Sequence, residues 1–301
     1  MRFGGHETFF LRPGWLTKGL RLVEATESTN WASDAASDAM GVGRNMSKSI
    51  GWWLSRTGTA IRAERTDPIT LTPLGHAILE HDPHLVGMTT WWLLHFQMTL
   101  NGRDDVFAWF FGRRGEPRFT RAALEGALHA EIERAGDRIP AAKTLNRDIA
   151  VLLQCYSRPL PAPDKTDPED NLDCPLRRLD LIVHRTDLDV FERRSALSVV
   201  SPEAICFGLL CAQGDPDGEF AEISFDNMGA LRRLSVATGR SIDVVADLVA
   251  KASEALDDEL LTIRQLGGQR VARVRRLGAD AWLRIHSDRA APAPHAQGRA
   301  A

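Results

Sequence analysis

The chain has 301 residues, of which 44% are hydrophobic, so it is long enough to bury a substantial core. Lys and Arg number 37 against 40 Asp and Glu, and the net charge of −3 excludes a protein that attracts polyanions through its total charge. No apolar run approaches the roughly 18 residues that span a bilayer, and residues 1–15 lack the pattern of a signal peptide. We therefore expect a cytoplasmic protein that makes no contact with a membrane.

The first 90 residues predict a winged helix-turn-helix. The apolar spacing predicts helices over 14–25, 31–40 and 45–56, a hairpin of segments 59–65 and 68–75, and a short helix over 76–82. Asn30 is placed to cap the second helix, and a turn is expected at 66–68. Gly41 and Gly43 separate the second and third helices by a tight turn, and either glycine could be its pivot. This order of elements is that of a winged helix-turn-helix.

The rest of the chain is helical by periodicity, so the predicted fold is mainly α with small β-hairpin wings. A helix near 143–157 places Lys143, Asn146 and Arg147 opposite an apolar side, and a second winged-helix-like unit is conceivable there. Residues 159–171 predict a loop, and Gly267-Gly268 predicts the turn of a hairpin. The predicted units are a DNA-binding domain at 1–90, a helical domain at 91–200, a C-terminal helical region with a basic hairpin at 201–288, and a disordered tail at 289–301.

Positive charge is concentrated in two parts of the chain. Five basic residues stand against one acid between 44 and 65, and six arginines against one aspartate between 264 and 284. Taken alone, each cluster is explained equally well by a solvated surface. The first cluster coincides with the predicted third helix, which favours DNA binding. The residues that we expect to contact DNA there are Arg44, Asn45, Ser47, Lys48 and Arg62. Trp53 is expected in the core, and the position of Trp52 is left open.

Residues 4–15, GGHETFFLRPGW, place ionisable side chains among glycines and aromatics. His6 can act as a general base, Glu7 supplies a carboxylate, and Arg12 can hold an anion. These three residues are therefore the candidate catalytic residues. The simpler interpretation is a capped start of the first helix, with Glu7 paired to Arg12 and His6 bonded to the backbone. The sequence leaves both interpretations open.

Patterns for metals and cofactors are weak. Residues 80–84, EHDPH, offer ligand types without helical spacing, and a polar loop explains them more simply. No phosphate-binding loop, dinucleotide-binding glycine pattern or G-x-S-x-G motif occurs. No cofactor is therefore evident. The sequence leaves open whether the protein needs a divalent ion such as Mg²⁺ or Mn²⁺, and it identifies no ligands for one. The four cysteines form no C-x-x-C pair, and we expect them to be buried and reduced.

Four segments resemble a bacterial family associated with DNA phosphorothioation and anti-phage defence, the SspB-like proteins. The segments are GGHETFFLRPGWLTKGL, MGVGRNMSKSIGWWL, KTLNRDIAVLLQCYS and EDNLDCPLRRLDLI, and the second, with Gly43 to Met46, is the most specific. The resemblance covers nearly the whole chain. It implies a protein that nicks one DNA strand and works beside a cysteine desulfurase, an ATPase and a protein similar to PAPS reductases.

The family motifs fall on Lys18 in addition to the N-terminal residues, on the start of the third helix, and on Asn146, Arg147 and Asp148. We also expect Lys18, Lys143, Asn146 and Arg147 to contact DNA. Arg44 stands where many relatives have Lys, which keeps the charge but changes the hydrogen-bond geometry. The resemblance does not assign the catalytic group.

Two hypotheses follow. The first is a DNA-nicking enzyme that opens one strand of duplex DNA for sulfur incorporation. The second is a non-catalytic winged-helix adaptor or transcriptional regulator that holds DNA. A sulfur carrier using Cys155 or Cys174 is disfavoured because neither lies in a cationic, exposed sequence context. A homodimer is also left open.

Overall fold

The structure, a computed structural model, describes residues 1–26, 30–31, 33–62, 68–102, 104–113, 115–160, 173–214, 217–226 and 229–291. Its fold is mainly α with small sheets, as predicted. The helices are α1 (Trp15–Ala25), α2 (Asp34–Met40), α3 (Arg44–Arg56), α4 (Pro73–His81), α5 (Met88–Thr99), α6 (Val106–Gly112), α7 (Arg121–Arg134), α8 (Ala142–Tyr156), α9 (Pro202–Gln213), α10 (Gly229–Thr238), α11 (Ile242–Ala255) and α12 (Ala279–Ala290), with a 3-10 helix over Pro175–Leu179. The strands are β1 (Ala60–Ile61), β2 (Thr70–Leu71), β3 (Arg118–Phe119), β4 (Ser157–Leu160), β5 (Ile182–Arg185), β6 (Val190–Arg193), β7 (Phe220–Ser224), β8 (Leu261–Leu266) and β9 (Gln269–Arg275).

In the N-terminal region, α1, α2 and α3 are followed by β1 and β2, which pair antiparallel with Ala60 opposite Leu71. Helices α1 and α3 lie close together at Gly19, where a β-carbon would lie 2.7 Å from Ile50 Cγ2 and 2.8 Å from Leu54 Cδ1. Only a residue without a side chain fits between the two helices without repacking. The predicted turn at 66–67 lies outside the described residues.

Capping decides the starts of α2 and α4, which apolar spacing misplaced, and which of two glycines ends α2. Helix α2 begins at residue 34 because the hydroxyl of Ser33, rather than Asn30, accepts the N–H of Ala36. Gly41 has a φ of 62° and is the left-handed residue that ends α2, so it is the pivot of the turn. Helix α4 begins inside the segment predicted as a strand, because Thr72 caps it and Pro73 occupies its first turn.

Helix α5 lies at the centre of the core, since nearly all of its residues are buried. His95 on this helix is fully enclosed: its Nδ1 accepts from the hydroxyl of Tyr156 at 2.8 Å, and its Nε2 donates to the carbonyl of Ala237 at 3.0 Å. Burial disfavours the charged ring and lowers the pKa of His95 to about 3. The neutral imidazole therefore ties α5 to α8 and α10.

Two further sheets complete the fold. Strands β3-β6-β5-β4 form one sheet in that order, in which β4 and β5 run parallel. Pro159 and Leu160, predicted to begin a loop, belong to β4 because they pair with β5, and residues 161–172 lie outside the described part. Strands β7-β9-β8 form the other sheet, whose predicted hairpin turn is confirmed by positive φ angles at Gly267 and Gly268.

Helix α12 continues to residue 290, past the predicted start of a disordered tail at 289, and residues 292–301 lie outside the described part. Among the residues that the structure describes, none of the helices combines the length and apolarity needed to cross a membrane. The four cysteines are buried and free of disulfides, as predicted.

Candidate nucleic-acid interface

Helix α3 has one side in the core and its first turn at the surface. Ile50, Trp53 and Leu54 are fully buried, with no exposed surface. Arg44 and Asn45 are exposed, and Lys48 is half-buried. Since residues four apart share a face of a helix, Arg44 and Lys48 present two cations in the same direction. The arrangement can meet phosphates and, through Asn45, a polar edge of a base.

The structure places two further residues of α3. Ser47 contradicts its prediction, and Trp52, whose position was left open, now has one. Ser47 is fully buried and its Oγ has no hydrogen-bond partner, so the expected contact between Ser47 and a phosphate is not available at the surface. The reason is rotational, because Ser47 lies between the exposed and the apolar sides of the helix. Trp52 is half-buried and packs edge-on against His6 and Trp53, so it belongs to the protein interior.

The Arg44 side chain contacts a carboxylate of the chain itself. Its Nη2 lies 2.5 Å from Asp34 Oδ1 on α2, and the two side chains are 60% and 75% exposed. An exposed ion pair of this kind contributes only about 0–1 kcal/mol, because water screens it. The guanidinium of Arg44 therefore stays accessible to an anionic ligand.

Other basic residues near α3 have different surroundings. Lys18 is exposed and donates from Nζ to the carbonyl of Met40 at 2.9 Å, at the end of α2. Arg62 is exposed at the end of β1. Arg56 is only 4% exposed and is paired with Asp105, so it adds nothing to the surface charge that the sequence suggested. Arg65 lies outside the described residues.

The N-terminal segment joins α3 to α8 through His6. Its Nε2 lies 3.0 Å from Asp148 Oδ1, while Oδ2 of the same carboxylate accepts the N–H of Gly4 at 2.8 Å. The Ser49 hydroxyl on α3 donates to the carbonyl of His6 at 2.9 Å. Three segments that are far apart in sequence, beginning near residues 4, 44 and 143, are therefore brought together here.

Both ring nitrogens of His6 are engaged. Nδ1 accepts the N–H of Thr8 at 3.1 Å, so Nε2 carries the proton and donates to Asp148. His6 is also only 3% exposed. A ring that is buried and bonded at both nitrogens positions the N-terminal segment against α8. For His6 to act as the predicted general base, one of these bonds would first have to break.

Glu7 and Arg12 are separated into different surroundings. Glu7 is exposed and has a φ of 49°, a left-handed conformation that turns the chain sharply after His6. Arg12 lies over the rings of Phe9, Phe10 and Trp15 at 5.7 to 5.8 Å. No ion pair within 4 Å joins Glu7 and Arg12 in the described structure. Of the simpler interpretation, the bond between His6 and the backbone is present and the pairing of Glu7 with Arg12 is not.

Arg12 instead lines a cavity of about 370 Å³. Arg158, Arg177 and Arg178 line the same cavity, with Asp173 as the acidic side chain among its described lining residues. Arg177 is paired with Asp173 at 2.6 Å, and the buried Nε of Arg12 has no hydrogen-bond partner. The arrangement suits an anion. This cavity was not predicted from the sequence because its residues lie on both sides of the segment 161–172. The adjacent arginines at 177–178 were the signal that could have indicated it.

The start of α8 adds polar groups near the same N-terminal segment. Lys143 and Arg147 are exposed, and Asp148 is buried against His6. With its amide nitrogen turned towards α7, Asn146 donates to the carboxylate of Glu125 at 3.2 and 3.3 Å. Lys143 and Arg147 are thus accessible to a ligand, while Asn146 already has an internal partner.

Two alternatives raised by the sequence receive structural explanations. Asp82 of the EHDPH segment is buried and accepts the N–H groups of Val86 and Gly87, so it orders the start of α5. Among the described residues, no group of three or more His, Cys, Asp and Glu side chains is placed to hold a metal ion. Burial raises the pKa of the Cys155 thiol, which disfavours the thiolate that a sulfur carrier needs, and the other candidate, Cys174, is fully buried.

Comparisons with known proteins agree with this fold. A crystal structure described as magnesium ion-bound SspB superposes with a TM-score of 0.76 at 22% sequence identity, covering 95% of this chain and 87% of that one. A second SspB crystal structure has a TM-score of 0.76 at 20% identity, with the same coverage. Among curated proteins no match is found. The profile of a family described as protein of unknown function (DUF4007) matches residues 3–282, nearly the whole chain. The chain therefore belongs to the DUF4007 family and has the fold of SspB.

Proposed function

We propose that this protein binds duplex DNA through the first turn of α3 and serves a DNA phosphorothioation system. The observation that carries the proposal is the exposure of Arg44 and Asn45, with the half-buried Lys48 beside them, on a helix whose opposite side packs in the core through Trp53. Exposed cations that begin a helix can neutralise phosphates while the helix enters a major groove. The link to phosphorothioation rests on the sequence resemblance and on the likeness to the SspB structures.

The N-terminal region supports a winged helix-turn-helix as the form of this DNA-binding unit. Helices α1, α2 and α3 precede the antiparallel pair β1–β2, and a left-handed glycine ends α2. In such a unit α3 is the recognition helix and the β1–β2 hairpin is the wing. Arg62, at the end of β1, then lies where a wing contacts the DNA backbone, and Lys143 and Arg147 extend the basic surface.

The salt dependence of DNA binding tests this proposal. We expect R44A/K48A to weaken binding to a 20-base-pair duplex and to lower the slope of log Kd against log salt concentration by about two units, since each lost phosphate contact removes about 0.9. R134A/K251A, which removes two exposed charges from α7 and α11, is the control. An unchanged slope in R44A/K48A would exclude α3 from the interface.

Strand nicking is the finer form of the proposal, and it rests on the resemblance. Glu7, exposed on a sharply turned backbone, and Arg12, on the arginine-lined cavity, are the remaining candidates for the chemistry. Supercoiled plasmid incubated with the protein and Mg²⁺ or Mn²⁺ should yield open circles, and E7Q should abolish them while binding persists. The control is E254Q, which changes an exposed glutamate on α11.

A non-catalytic adaptor is the second candidate. The complete hydrogen bonding of His6 favours it, because that ring has no nitrogen free for proton transfer. A plasmid that stays supercoiled while its mobility shifts on a gel would establish the adaptor and reject the nickase. In either form we propose that the protein works with the cysteine desulfurase, the ATPase and the PAPS-reductase-like protein that the resemblance implies.

A further inference from the structure

A second cavity, far in sequence from α3, is lined by four arginines. It has a volume of about 760 Å³ and lies where the end of β6 meets the connection between α10 and α11. Its arginines are Arg193 and Arg194 at the end of β6, Arg232 on α10, and Arg240 just before α11. Among its described lining residues Asp243 is the acidic one. The cavity therefore has a strong excess of positive charge.

The backbone brings these arginines together by a close approach at Gly239. This glycine has a φ of 65°, and a β-carbon on it would overlap the carbonyl oxygen of Arg194. The N–H of Ala196 donates to the carbonyl of Thr238 at 3.2 Å beside it. A larger residue at 239 would push α10 away from β6, so the glycine is what places Arg240 beside Arg193 and Arg194.

Within the described structure none of the four guanidinium groups has a carboxylate partner within 4 Å. Arg193 stacks 3.7 Å from the ring centroid of Phe110 and donates to its carbonyl, and Arg240 donates to the carbonyls of Ala196 and Ser198. Neighbouring arginines of the same sheet behave differently, since Arg118 and Arg185 both pair with Glu192. The four arginines of this cavity thus have no carboxylate partner, although Glu192 of the same sheet pairs with two other arginines.

Burial makes that uncompensated charge costly. It lowers the pKa of Arg193 to about 10, with a smaller contribution from Arg113, and it lowers the pKa of Arg240. The Nε atoms of both residues are buried without hydrogen-bond partners. Two partly desolvated cations, with two further arginines and a single acid beside them, are unfavourable in a folded protein unless an anion binds them.

We propose that this cavity is an oligophosphate site, which binds two or three linked phosphoryl groups through Arg193, Arg194, Arg232 and Arg240. Guanidinium groups match phosphate oxygens with paired N–H donors, and a cavity of this volume is within the range of small-molecule sites. The first N–H groups of α11, which follow Arg240, add partial positive charge. The phosphoryl groups could come from a free nucleoside triphosphate or polyphosphate, or from successive phosphodiesters of a DNA strand.

Calorimetric titration of the full chain with sodium tripolyphosphate, and fluorescence titration with a 20-base-pair duplex, test the proposal. The variant is R194A/R232A, because neither side chain has a hydrogen-bond partner in the described structure and its loss should not unfold the protein. R194Q/R232Q keeps the side-chain volume, and R134A/K251A again removes two charges elsewhere. We expect tripolyphosphate to bind the wild type and the control equally, and R194A/R232A at least about tenfold more weakly.

The duplex titration separates the two sources. If the cavity holds a DNA backbone, R194A/R232A also lowers the salt slope of duplex binding by about two units and tripolyphosphate competes with the duplex. If it holds a free oligophosphate, duplex binding is unchanged. The proposal is overturned if neither probe loses affinity in R194A/R232A and R194Q/R232Q relative to the control. Because R44A/K48A reports on α3 alone, failure here and failure of the α3 interface are distinguishable.

Discussion

Removal of the Asp148 carboxylate should uncouple the N-terminal segment from α8. In D148A the N–H of Gly4 and the Nε2–H of His6 both lose their acceptor, at a site where His6 and Asp148 are each 3% exposed. A buried donor without an acceptor costs about 1–3 kcal/mol, so the two together should lower the free energy of unfolding by about 2–6 kcal/mol. D187A, at an exposed position of the β5–β6 turn, should change it by less than about 0.5 kcal/mol.

A double-mutant cycle measures how much of that loss belongs to the bond between the two side chains. Urea unfolding of the wild type, H6A, D148A and H6A/D148A should give a coupling energy of about 1–3 kcal/mol, because the residues share one buried hydrogen bond. Additive effects of the two substitutions, to within about 0.5 kcal/mol, would refute the positioning role of His6 and reopen its assignment as a free base.

Three further predictions concern buried ionisable groups. Folding lowers the pKa of His95 from 6.5 to about 3, so its contribution to stability is complete above pH 6.5 and is lost as the pH falls towards 3. The wild type should therefore lose about 2 kcal/mol more than H95Q between pH 7 and pH 5 in urea unfolding, and equal losses would contradict the buried neutral ring. Glu203 is fully buried and accepts hydrogen bonds from His286 and Arg289. E203Q should therefore lower the free energy of unfolding by about 2–4 kcal/mol in the same measurement. Unchanged stability would show that the α9–α12 contact does not depend on charge. The thiols should resist Ellman's reagent in the native state and react after denaturation, and rapid native reaction would contradict their burial.

The sequence determined the local features of this protein. Apolar residues at helical spacing predicted α1 and α3, Gly267-Gly268 predicted the β8–β9 turn, and the absence of paired cysteine motifs predicted buried free thiols. These features follow from neighbours in the chain, because side-chain periodicity and turn conformation are set over a few residues. Boundaries were less accurate where a cap competed with apolar spacing, as at Ser33 and Thr72.

Tertiary structure alone decided how distant segments meet. The sequence identified His6 as ionisable, but only its burial against α8 showed that both ring nitrogens are engaged. Arg56 was predicted to add to the surface charge, but in the fold it is buried and paired with Asp105. The arginines near Gly239 form no pattern along the chain, so the cavity that they line was not predicted. Charge and hydrogen bonding depend on the distance and burial of groups that may be a hundred or more residues apart, and residue spacing carries no information about either.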